Sequence, residues 1–302
     1  MGSLDGAYEI IDWSHSPVSN ENYWHYGSLY SYVLNPALTI GLSDYFNLTI
    51  SQTIGTRIMN YEEVEGVNPT PHHRDEGTHT DFLNQANGGI LGDTRLLFRY
   101  LILNDGMRGN RLFIGTGLTI PSQSRLTKSP FIQNDDGSYD EHRHFAMSEG
   151  NYQWLGELQF YRKLSPPIIF WGISSSVSYP IQKNSDGFLA PIKYDISFSL
   201  LTQKMRIINA ALGIYLQYKY GGISTWDGIE NKNSEGQIFT PGFGFIWTTK
   251  NKLAIAVNCL FPQLLNNSTL ATIETNVDNN INAWQMTLGI RKTFDYSIPF
   301  LE

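Results

Sequence analysis

The sequence predicts an all-β fold: one antiparallel transmembrane β-barrel of about twelve strands, with short periplasmic turns and long extracellular loops. Three observations predict it. The first is the rhythm of the connections. Residues 90–103 and 111–122 are joined by the tight NDGMRGN, 151–163 and 168–181 by Ser165-Pro166-Pro167, and Trp247 is followed by Lys252–Phe261 across TTKN. The intervening connections, 61–88, 123–150, 182–190, 221–236 and 264–282, are long and polar. Outer-membrane barrels show this asymmetry between their two ends.

The second observation is period-two alternation, which puts successive side chains on opposite faces of a strand. Within Lys252–Phe261 one face carries Leu253, Ile255, Val257, Cys259 and Phe261, and the other Ala254, Ala256 and Asn258. In 207–220 an apolar set (Ile208, Ala210, Leu212, Ile214, Leu216) opposes Asn209, Ala211, Gly213, Tyr215, Gln217 and Lys219. Residues 284–294 set Trp284, Met286, Leu288, Ile290 and Phe294 against Gln285, Thr287, Gly289, Arg291 and Thr293, with Lys292 misplaced on the apolar face. The third is charge. Only 16% of the chain is charged, against roughly 25% in globular domains, and these residues gather in the loops. A soluble sandwich also alternates, but its polar face usually carries many Lys and Glu. Here that face is mostly Gly, Ser, Thr, Asn and Gln. Tyr30, Tyr32, Tyr100, Trp171, Tyr179, Trp247 and Trp284 recur near strand ends, where a bilayer interface favours amphipathic rings.

Eleven strands follow in order: 28–42, 46–60, 90–103, 111–122, 151–163, 168–181, 191–202, 206–220, 237–248, 252–263 and 283–294. An even strand count with short turns on one side needs a twelfth before them. Residues 6–14 are the candidate, though they alternate poorly, so 1–27 reads as a weak first strand or an N-terminal segment. Asn35-Pro36 is expected to mark a bulge in the second strand. Residues 1–302 read as a single domain. No apolar run approaches the ~18 residues of a spanning helix, and closed strands are the other way across a bilayer. The opening Met1-Gly2-Ser3-Leu4-Asp5 has neither the basic nor the apolar region of a leader, so the sequence is expected to be that of a mature chain. The expected location is the bacterial outer membrane, with its lipid bilayer as the first partner. A net charge of −7 and the lack of a basic stripe argue against nucleic acid. Cys259, the lone cysteine, sits in the lipid-facing set and reads as a small hydrophobe.

Alternation also selects a lumen. It turns Asp93, Arg95 and Arg99 inward on one strand, Glu157 on another, and then Lys193, Asp195, Lys219 and Arg291. These are expected to form a structural ion-pair network that narrows the pore, because unpaired charges in a narrow barrel are costly. Inward Phe113, Leu155, Tyr161, Phe170 and Tyr215 are expected to narrow it further. The function that follows is a channel for small, uncharged or weakly polar solutes, with no cofactor. Two other readings stand beside it. One is a structural or partner-binding barrel acting through its loops. The other is a rim-site hydrolase built from Ser148 with His142 or His144, although no strained nucleophile turn surrounds that serine. A loop cluster of His72, His73 and His79, with His142 and His144 (beside Asp140 and Glu141) on the next long loop, offers ligands for a borderline divalent metal ion.

The segments GGILGDTRLLFRY (88–100), FIGTGLTIPSQS (113–124) and SEGNYQWLGELQFYRKL (148–164), with the later TPGFGFIW (240–247) and TLGIRKTF (287–294), carry a resemblance. The chain from about residue 28 onward resembles the outer-membrane transporters assigned to the phenol meta-degradation pathway. Their pattern is a GxGD strand start, a GxGxxxPT strand end and a G-x-G-x-W/Y entry to the next strand. This chain departs from it at Ser122, where threonine would follow the proline, and in the His-rich loop at 72–79. The resemblance implies a barrel of about twelve strands and passage of small, often hydrophobic compounds. The last octapeptide also resembles the signal read by the outer-membrane assembly machinery: Thr287, Gly289 and Phe294 match it and Lys292 does not.

Overall fold

The computed structural model describes residues 1–15, 24–61, 90–106, 109–125, 127, 146–231, 234–266 and 279–295. Its barrel strands are β1 (Gly2–His15), β2 (His25–Gly41), β3 (Phe46–Tyr61), β4 (Leu91–Asp105), β5 (Asn110–Ile120), β6 (Gln153–Lys163), β7 (Ile168–Pro180), β9 (Lys193–Thr202), β10 (Ala211–Gly221), β13 (Gly236–Thr248), β14 (Leu253–Leu260) and β16 (Asn279–Lys292). Each pairs antiparallel with its neighbours. The β1–β16 and β10–β13 ladders complete the circuit, so the twelve strands close with no free edge. Closure matters because an unpaired backbone edge in hydrocarbon has no water to satisfy it. Among the described residues no helix is long and apolar enough to cross a membrane.

Exposure and register agree on which face is which. Leu34, Ile50, Phe98, Ile114, Leu158, Ile173, Ile214, Phe243, Met286 and Leu288 lie on the outward face, and Leu288 is 48% exposed. Directly opposed residues share a face. The outward row Tyr100, Ile114, Leu158, Ser175, Ile196, Tyr218, Phe239 therefore runs round the wall from β4 to β13. The interfacial rings pack on one another along the same surface. Tyr8 lies 4.9 Å from Tyr32 and 5.6 Å from Trp284, Phe46 lies 4.7 Å from Tyr100, and Phe160 lies 5.3 Å from Trp171. Lys292 keeps its place on this face at the strand end, where its ammonium donates to the Asn251 carbonyl in the turn below.

Four local findings differ from the sequence reading. The first strand is not weak. β1 is a 14-residue strand paired along its whole length with both β2 and β16. Its alternation looks poor because Ile11 and Trp13 face inward near the extracellular end; Trp13 lies over Gly27, where a Cβ would sit 2.4 Å from the indole. The β2–β3 ladder keeps one register past Asn35-Pro36, and the bulge falls on β3 between Gln52 and Ile54, against β4. β10 starts at Ala211, because 203–210 is spent on a turn with Asn209 at φ 51°. Finally, the loops expected at 182–190 and 221–236 contain β8 (Phe188–Leu189), β11 (Ser224–Trp226) and β12 (Ile229–Asn231), a three-stranded sheet at the extracellular end. β15 (Gln263–Asn266) extends the wall beside β13. Asn151, 1% exposed, staples this region: its amide donates to the Gln182 and Phe188 carbonyls at 2.9 Å and accepts from Ala190 N–H at 3.0 Å.

A candidate constriction in the lumen

The inward residues fall into two levels. The lower, toward the short turns, is built on Arg99. Its Nε donates to Glu157 Oε2 at 2.5 Å and its Nη2 to Oε1 at 3.2 Å, while Nη1 reaches Thr49 Oγ1 at 2.9 Å. Arg99 on β4 and Glu157 on β6 are two strands apart, and the residue between them on β5 is Gly115. A Cβ there would stand 3.1 Å from both the Cβ and Oε2 of Glu157. Glycine thus leaves the space through which the ion pair closes. Glu157 also accepts from Gln159 Nε2 at 2.6 Å, and Gln159 Oε1 accepts from the Tyr161 hydroxyl at 2.9 Å. A charge-assisted fork of this kind fixes geometry as well as energy.

Below this chain stand the inward rings. Phe113 and Tyr161 meet edge-on at 6.3 Å, and Tyr161 stacks on Phe170 at 5.4 Å and 26°. Tyr161 lies along the wall, over Gly172, where a Cβ would come within 2.4 Å of the ring. Tyr215 lies likewise over Gly213, with its hydroxyl 2.4 Å from the Cβ position. Tyr161 and Tyr215 therefore lie against the wall rather than projecting straight across the lumen. Arg291 has Asp5 as its nearest acid, at 4.0 Å, and stands close enough to Tyr161 and Tyr215 for its charge to act on both. Serines line the wall nearby, and Ser174 and Ser197 share a hydrogen bond of 2.7 Å.

The upper level holds Asp93, Arg95, Lys193, Asp195 and Lys219. Asp93 accepts from the Ser122 N–H at 3.1 Å, with Ser148 beside it. Asp195 accepts from Gln217 Nε2 at 2.6 Å, lies opposite Lys219 in the ladder, and feels the charge of Arg95. Lys193 is bound to Glu149, a residue of the long 121–152 connection, and Glu149 Oε2 accepts from Gln153 Nε2 at 2.6 Å. Leu155 is inward too, opposite Ser178. The charges expected to cluster are thus divided, with Arg99, Glu157 and Arg291 below and Asp93 and Arg95 above.

Glu149, Gln159, Thr49, Arg57 and Glu9 also belong to the lumen, and the sequence reading did not select them. Alternation alone places Glu9, Thr49, Arg57 and Gln159 inward. For Glu149 no periodic signal exists, because it sits in a connection. Ser148 is 7% exposed, beside Asp93, and its hydroxyl accepts from the Gly150 N–H at 2.9 Å. His72, His73, His79, His142 and His144 lie outside the described residues, as do Asp140 and Glu141. Among the described residues no group of three or more His, Cys, Asp or Glu could hold a metal ion.

At the level of sequence no family model and no curated protein matches the chain. Solved structures do resemble it. An outer-membrane channel from Pseudomonas putida F1 superposes with a TM-score of 0.53 at 12% identity, covering 97% of this chain and 96% of that one. The NanC porin gives 0.46 at 6% identity (95% and 100% covered), and the KdgM porin 0.44 at 8% (97% and 99% covered). The first of these is a likeness of fold. Taken with the closed circuit and the aromatic-bordered apolar belt, it makes this chain a bacterial outer-membrane β-barrel.

Proposed function

We propose that the protein is an outer-membrane channel for small, uncharged or weakly polar solutes, aromatic compounds among them. The observation that carries this reading is the lower level of the lumen. The Arg99–Glu157 pair, braced by Thr49, Gln159 and Tyr161, stands above a ring cluster in which Tyr161 stacks on Phe170 and meets Phe113 edge-on. A compensated ion pair presents no net charge to draw a hydrated ion from water, and stacked rings offer contact to a small planar solute. The Pseudomonas protein is itself an outer-membrane channel, which supports the reading by analogy of fold. The resemblance to transporters assigned to phenol meta-degradation supports aromatic solutes in the same way. Arg99, Glu157, Tyr161, Phe170, Tyr215 and Arg291 act as the constriction, and Asp93, Arg95, Lys193, Asp195 and Lys219 line the entrance above it. Thr287, Gly289 and Phe294 serve as the assembly machinery's recognition signal.

Flux into proteoliposomes is the test. Phenol-sized aromatics should enter severalfold faster than sugars of similar mass. Arg99→Ala, which removes the fork to Glu157, should raise sugar entry and flatten the preference. Equal entry of both classes, unchanged in the variant, would remove the support for selective passage.

A further inference from the structure

The connection between β5 and β6 does not simply rise away from the barrel. Met147 packs on the inner face of β3: its methyl group lies 2.9 Å from the position a Cβ would take on Gly55, and its carbonyl oxygen 2.8 Å from that position on Gly92. Two residues later Glu149 is tied to β6 through Gln153 and to β9 through Lys193. Ser178 on β7 bonds Gln153 in turn. The segment is held from above as well. The Met147 N–H donates to Ser124 Oγ at 3.1 Å and the Ser148 N–H to the Ser124 carbonyl at 2.8 Å, which sets Ser148 beside Asp93.

Neighbouring strands lie ~4.8 Å apart, so the step from β3 to β6 spans about 14 Å of wall. Residues 147–149, aided by the Glu149 side chain, run inside that arc and then reach on to β9. Between β3 and β9 lie four barrel strands, β4, β5, β6 and β7. The segment is therefore a shelf across one side of the extracellular mouth. Its inner end is the Glu149–Lys193 ion pair, with the inward Arg57 of β3 near enough to Glu149 for its charge to act on it.

We propose that residues 146–150 are a size-determining shelf of this channel, fastened by Glu149 and Lys193, which limits what reaches the lumen from outside. The inference rests on the channel reading for its purpose but not for its geometry. Ser124, Ser148 and Asp93 form the root of the shelf, and Gly55 and Gly92 are the seats cut for Met147. The Glu149–Lys193 pair is the clasp. Reversing either charge leaves two like charges at the clasp and releases it; reversing both restores the attraction.

The test uses a reporter beneath the shelf. Ser197 lies on the inner wall of β9, below Lys193. In a Cys259→Ala chain carrying Ser197→Cys, intact cells are treated with a bulky, membrane-impermeant maleimide, and flux is measured on the same variants. Glu149→Lys and Lys193→Glu should each label at least fivefold faster than the parent and admit larger sugars. The double reversal should return to the parent rate, which shows that the single variants act through the lost attraction rather than through either substitution by itself. Identical labelling in all four chains, or a double reversal as open as the singles, overturns the shelf. If labelling follows the expected order while neither solute class crosses in any variant, the channel reading fails and the shelf stands.

Discussion

At the level of single residues, the lumen is organised by pairs in which one member is glycine. Tyr161 lies on Gly172, Tyr215 on Gly213, and the Arg99–Glu157 fork closes across Gly115. The sequence shows the inward direction of each ring through alternation, but not whether the ring projects or lies flat. For Tyr161 that depends on Gly172 standing opposite on the next strand, and register is unknown until the strands are paired; Tyr215 lies back over Gly213 of its own strand. The same reasoning yields a double-mutant test. Gly172→Ala should cost about 1–3 kcal/mol by forcing the Tyr161 ring off the wall. In a Tyr161→Ala background the same substitution should cost close to nothing. Urea unfolding in lipid vesicles measures both, and an equal cost in the two backgrounds would mean that the ring does not press on Gly172. Glu149 marks the limit of residue-level reading: it lies in a connection, so no period assigns it a direction, and only its fold-back onto Lys193 places it in the lumen.

At the level of strands, legibility followed the environment. β14 and β16, bordered by lipid outside and small polar residues inside, show clean alternation and were readable from sequence. β1 was not, because Ile11 and Trp13 add apolar residues to its inner face at the extracellular end. The small sheet of β8, β11 and β12 is also invisible in the sequence, since strands of two or three residues are too short to show a period. The two faces of one strand should respond oppositely to charge. Leu288→Arg faces lipid beside Val257 and Gly6 and should cost about 2–4 kcal/mol if it lies near the bilayer midplane. Its neighbour Thr287, inward and bonded to Asn258 at 2.8 Å, should accept Arg at a much smaller cost. Folding free energies in vesicles compare the two directly. A larger penalty at 287 than at 288 would invert the assignment of faces.

At the level of the whole molecule, the twelve-strand circuit fixes where the protein works and how wide its interior can be. Barrel diameter grows with strand number, and twelve strands leave a lumen that a few large side chains can constrict. The lumen carries two levels of side chains of both signs; periodicity turns them inward, but which of them pair is set by strand register, which strand count and periodicity do not encode. A channel of this kind requires a narrow aqueous path through the lumen. Single-channel recording of the refolded protein in planar bilayers tests it most directly. Discrete openings of small, uniform conductance are expected, and they should grow when Arg99 is replaced by Ala. Membranes that contain folded protein yet show no steps above the bare-lipid baseline, in the parent and in Arg99→Ala alike, would contradict it.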